Sequence, residues 1–165
     1  MDRSLVRTRV TTTQWAVLLS ALGLTIHLEA VLQLPLRLPG HRVLPGALTL
    51  LLFAEALAPA LLLVFAVAVP FTLTLAGAAP GWAVAAWAVP ALLVVWSADR
   101  SFRKSLLWFA AVGLLFGLAR YLSLGGFFHK TPEPIRLAGH LGFGLFGGGG
   151  AWTLAKLMFK DDKDD

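Results

Sequence analysis

Long apolar stretches, around 14–36, 44–76, 81–98, 105–124 and 135–159, fill most of this chain, and most of them reach the ~20 residues that a bilayer-spanning helix requires. Such segments leave few folds open, because a backbone group left unpaired in lipid is costly and a helix satisfies its own. Of the 165 residues, 58% are hydrophobic and 14% charged, too few polar groups to cover a water-soluble globule of this size. The expectation is an all-α, polytopic integral membrane bundle. It forms one domain over 1–165, with a cytoplasmic N-terminal arm at 1–12 and a charged tail at 160–165, in the cell membrane. Arg3, Arg7 and Arg9 ahead of an apolar run imitate a signal peptide. The run outlasts any signal core and lacks a small-residue cleavage site, so it reads as a retained first span.

The number of spans turns on residues 44–76, too long for one straight crossing and interrupted by Pro59 and Pro70. One kinked helix or two short ones would fit. A single pass divides the Lys and Arg residues six against eight across the membrane, whereas two passes gather nine with the termini against five opposite. The positive-inside rule then favours six spans with both termini cytoplasmic, although three passes between 44 and 98 leave room only for short helices.

Ionisable residues inside apolar segments are expensive, and they point to a site. The first segment writes His27 and Glu29 into TIHLEAVLQ, where Thr25, Glu29 and Gln33 share one helix face and Ser20, Gly23 and His27 another. A helix polar on two sides is expected to be surrounded by its neighbours. Glu55 stands four residues before Pro59, which has no N–H for the Glu55 carbonyl, so one residue offers a carboxyl group and a freed acceptor. Counted by helical rise, His27, Glu29 and Glu55 fit one half of the bilayer, the outer half. Six spans bring His140 there too. Trp87, in mid-segment near Pro90, is either core or an aromatic wall. The expected ligand-binding set is therefore His27, Glu29, Gln33, Glu55, Trp87 and His140, holding a small apolar or cationic molecule for binding or transport. An enzyme is the less favoured reading, since no phosphate loop, HExxH or nucleophile elbow is present.

Two alternatives come from other classes. A membrane redox subunit would bind haem b or a quinone, with His27 and His140 as axial ligands or as a metal pair. A structural subunit of a larger complex would use its buried polar residues for packing alone. Gly113 and Gly117 form a GxxxG pair suited to close helix approach and, on this reading, to a homo-oligomer or partner subunit. The glycines from Gly139 to Gly150, with His140, Gly144, Gly147 or Gly148, and Ala151 on one face, make either a packing surface or a slot, and GGGG offers a place to unwind. Zero cysteines exclude thiolate catalysis, disulfides and iron–sulfur ligation. The +5 charge lies between the apolar segments, where it orients helices instead of binding nucleic acid. The tail acids Asp161, Asp162, Asp164 and Asp165 read as solvated. The stretch GLARYLSLGGFFHKTPEPIRLAGH resembles the end of small DoxX-like membrane proteins over a minor part of the chain, and implies no site residue.

Overall fold

The proline-interrupted stretch makes two helices, α2 (Val43–Ala56) and α3 (Pro59–Leu75). Leu57 and Ala58 between them are extended, and Pro59 opens α3 at a position where its missing N–H breaks no helical bond. The chain turns back here. Phe53 and Phe65 stack with ring centroids 4.3 Å apart, whereas 12 residues of continuous helix would separate them by about 18 Å.

A computed structural model describes residues 10–30, 40–76, 83–96, 105–123 and 134–159, with the backbone alone at 28–30 and 83. Besides α2 and α3 it contains α1 (Thr12–Ala30), α4 (Ala83–Trp96), α5 (Leu106–Tyr121) and α6 (Pro134–Met158). The described residues are all-helical, six helices with no strand. Thr11 and Gln14 start α1 with a capping box, the Thr11 N–H donating to Gln14 Oε1 at 2.7 Å and the Gln14 N–H to Thr11 Oγ1 at 3.3 Å. Ser105 caps α5 by accepting from the Trp108 N–H. α6 runs through the four glycines 147–150 without unwinding.

Glycine sets the closest approach. α5 and α6 share the most extensive contact, and there a Cβ on Gly113 would strike the Gly144 carbonyl oxygen, one on Gly117 the His140 carbonyl, and one on Gly148 the Phe109 carbonyl. The opposite edge of α6 meets α2, where a Cβ on Gly147 would lie 2.8 Å from the Leu44 carbonyl oxygen. The small-residue face of α6 is thus a packing surface on both sides. The pair Gly113 and Gly117 is taken up by α6 of the same chain, which leaves no room at that spot for a second chain.

α1 lies at the edge of the bundle, packed mainly on α2, and is not surrounded by neighbours as its two polar stripes led us to expect. Leu18 and Thr25 are buried, whereas Ser20, Gly23 and His27 are exposed. Thr25 Oγ1 lies 2.8 Å from Thr49 Oγ1 on α2, and both hydroxyls reach the Ala21 carbonyl, at 2.9 and 3.1 Å. With one proton each, the two hydroxyls fill two of these three contacts at a time, which satisfies both donors in an apolar interior and fixes the register of the two helices. Deeper in, Phe53, Phe65, Trp87 and Phe116 link α2, α3, α4 and α5. Phe65 and Phe116 meet Trp87 edge-on at 6.2 and 5.3 Å.

Among the described residues no helix is long and apolar enough to cross a membrane. α2 and α4, of 14 residues each, extend about 21 Å against a hydrocarbon core of about 30 Å. Length suffices in α6, but glycine, Arg136, His140 and Lys156 dilute its apolar character.

Candidate functional site

Glu55 sits in the last turn of α2, and its surroundings follow from where that turn ends. The register of α2 against α6 brings it level with the C-terminal turns of α6. There a pocket of about 70 Å3 is lined by Glu55, Phe109, Trp152, Ala155, Lys156 and Phe159. Each wall has a local cause. Phe109 comes from the first turn of α5. Trp152 and Lys156 are four apart on one face of α6, and the Lys156 ammonium lies over the Trp152 ring, 4.5 Å from its centroid. Small Ala155 leaves the space between them. Glu55 Oε1 is buried. Close by, the Gln14 side chain donates to the Met158 carbonyl oxygen, tying the start of α1 to the end of α6. Both ends of the helical bundle's chain therefore come to the same end as the pocket.

The pocket's size constrains its contents. Drug-sized ligands occupy cavities of about 300–1,000 Å3, so a pocket of about 70 Å3 admits only a small group or ion. Its chemistry is mixed: three aromatic rings, one carboxyl group, and one ammonium that can swing away on a flexible stem.

The other expected residues gather elsewhere. His140 is buried at the opposite end of α6, its Nδ1 2.7 Å from the Arg136 carbonyl oxygen and its ring edge-on to Tyr121 at 5.6 Å. Gly40, with φ of +85°, presses against the His140 backbone. A Cβ there would approach the His140 nitrogen to 2.6 Å, and the left-handed conformation itself suits glycine. Arg120 is buried in the last turn of α5, and together with Arg136 and His41 it lies within electrostatic reach of His140. This end is basic.

Twelve residues of α6 separate His140 from Trp152, about 18 Å. The expectation that Glu55 and His140 share the outer half of one site is corrected accordingly: they belong to opposite ends of the bundle. His27 needs a correction too. Thr25, two residues earlier, takes the buried face of α1, and a 200° rotation puts His27 on the exposed one. The described contacts bring it to neither Glu55 nor His140, so the paired-imidazole arrangement expected for haem or metal is not assembled by them. No group of three or more metal-ligating side chains occurs among the described residues. Trp87, 1% exposed, is enclosed by Phe65, Phe116 and the Gly46 backbone, and belongs to the core. The side chain of Glu29 and all of Gln33 lie outside the described residues.

Comparison with known proteins adds nothing to this geometry. No protein-family model, curated protein or solved structure matches the chain.

Sequence reasoning named Glu55 and missed Trp152, Lys156, Phe109 and Phe159. The spacing of Trp152 and Lys156 is a readable signal, since a ring and an ammonium four residues apart on a helix meet. The register that sets them beside Glu55 is a tertiary fact.

Proposed function

We propose that this chain is an integral membrane protein whose six helices pass the bilayer with the termini on the cytoplasmic side, and that it binds a small apolar or cationic group in the Glu55 pocket. Support for the membrane setting comes from the outer surface. α3 and α4 carry no charged residue, and their large exposed side chains are Val64, Val67, Phe71 and Leu75, and Val89, Leu92, Leu93 and Trp96, with Thr72 the polar exposed residue, its hydroxyl donating to the Ala68 carbonyl. Leu19, Leu107 and Phe146 extend the apolar perimeter around α1, α5 and α6. A helix without charge on any side suits lipid or a protein interior, and large apolar side chains exposed on several helices are what an apolar solvent or a partner surface accommodates. Short helices can be accommodated by local thinning of the bilayer.

The observation that carries the binding reading is the buried oxygen of Glu55 inside an aromatic-walled pocket. Aromatic faces and a carboxylate are the two groups that recognise methylated ammonium ions, the rings through their quadrupoles and the carboxylate through its charge. The pocket lies at the end that also holds the start of α1 and the close of α6, hence the cytoplasmic end under the positive-inside rule. This replaces the outer-face entry expected from helical depth.

Tetramethylammonium titrated into protein in lipid nanodiscs, followed by calorimetry, tests the proposal. Two opposite unit charges about 4 Å apart attract by ~1 kcal/mol in water and ~4 kcal/mol at the effective dielectric of a protein surface. Glu55→Gln is therefore expected to weaken tetramethylammonium about ten-fold or more while leaving a neutral probe of the same shape, 2,2-dimethylpropanol, unchanged. Equal affinity of Glu55→Gln and the native chain for the cation would remove the carboxylate from the site.

A further inference from the structure

The wall of the pocket already carries a cation. Lys156 lines it together with Glu55, and its ammonium stands 4.5 Å from the centre of the Trp152 ring, the position a ligand ammonium would take. Its backbone is on the exposed face of α6, so the side chain folds back along the helix to reach the ring; nothing in the backbone forces this. The stem is flexible, and an alternative in which the ammonium extends into water is open to it at small cost. Last-turn position alone would favour a lysine through the helix dipole wherever its head lay. The dipole does not explain why the head lies over an aromatic ring that lines a pocket with a carboxyl group.

We propose that Lys156 is a tethered occupant of the Trp152 face at the wall of the Glu55 pocket, holding that face until a small cation displaces it. This rests on the reading of the pocket as a cation site and adds its regulation. An entering ammonium takes over the ring face, beside the carboxyl group of Glu55, and Lys156 swings to solvent with its charge unchanged, so no proton is transferred. The pocket's net charge then stays the same with and without ligand. Weak binding follows, because each ligand must compete with a side chain that cannot diffuse away. Any partner or anionic surface that drew the Lys156 head outward would open the pocket.

The test compares tetramethylammonium with 2,2-dimethylpropanol on the native chain, Lys156→Ala, Lys156→Arg and Glu55→Gln in nanodiscs. The ring contact of an exposed lysine is worth about 0.5–1 kcal/mol, so removing the occupant is expected to tighten tetramethylammonium about two- to five-fold. Occupancy also predicts that the neutral probe tightens in Lys156→Ala, since space is freed for either molecule. Lys156→Arg restores a cation that stacks on the ring and should return both affinities to native values. If only the cation tightens, Lys156 acts by its field and the occupancy proposal is wrong. Unchanged affinities in Lys156→Ala, with measurable native binding, overturn it as well. Binding of neither probe to any variant refutes the site reading itself, and this inference with it.

Discussion

Gly113→Leu is expected to abolish the native packing of α5 on α6. A Cβ at this position would strike the Gly144 carbonyl oxygen, and backbone, unlike a flexible side chain, cannot move aside without shifting a whole helix. Overpacking in well-packed interiors costs about 1–3 kcal/mol where side chains can adjust, and more where they cannot. Here α6 would have to withdraw along Gly117 and Gly148 as well, losing the contact that joins the two helices most extensively. Within lipid, where helix association rests on close packing, no hydrophobic force compensates. The measurement is the yield and size-exclusion profile of Gly113→Leu beside Gly149→Ala, whose Cβ meets nothing within 4 Å. We expect Gly149→Ala to remain native and Gly113→Leu to aggregate or lose its thermal transition. A native profile for Gly113→Leu would mean that α5 and α6 do not meet through these glycines.

Trp87→Ala is expected to cost about 3–5 kcal/mol, the usual range for a fully buried aromatic truncated to alanine. The ring is 1% exposed and bridges Phe65 on α3 to Phe116 on α5, so its removal leaves a cavity between these two rings and the Gly46 backbone of α2. Its edge-on contacts with two other rings add to the loss. Denaturation midpoints in detergent measure the effect. The same variant separates core from site: with Trp87 away from the Glu55 pocket, tetramethylammonium affinity should stay within about two-fold of native once the variant is folded. A selective ten-fold loss of cation binding with native stability would return Trp87 to the wall of a ligand site.

These two positions also show what the sequence could and could not reveal. Gly113 and Gly117 announce a close helix approach at a readable four-residue spacing, yet nothing in that spacing says whether the partner helix is in the same chain. The matching glycines of α6 supply the answer only once both helices are placed. Pro59 marked an interruption, and the two extended residues before it make that interruption a reversal. His27 was misplaced for a definable reason. Two polar stripes were seen on α1, both were assigned inward, and only the one containing Thr25 found a partner, in Thr49. For Glu55, helical rise puts the carboxyl about 15 Å in from the outer face, in the middle of a long apolar run, but the run is longer than the helix. With α2 ending at Ala56, the same residue stands at the other end, facing Trp152 and Lys156. Patterns local to one helix were legible; the pairing of one helix end with another was not.

The membrane setting carries the rest of the account, and the chain's lack of cysteine makes it directly measurable. Single cysteines at Val67, Leu92 and Phe146, exposed by 45%, 55% and 71% in mid-helix, can be spin-labelled in protein reconstituted into liposomes. Paramagnetic relaxation by oxygen, which concentrates in lipid, is then compared with relaxation by a water-soluble nickel chelate. All three sites are predicted to be open to oxygen and shielded from nickel. Strong nickel relaxation at all three would place the apolar perimeter in water or against a wet protein surface, and would contradict a bilayer-embedded bundle.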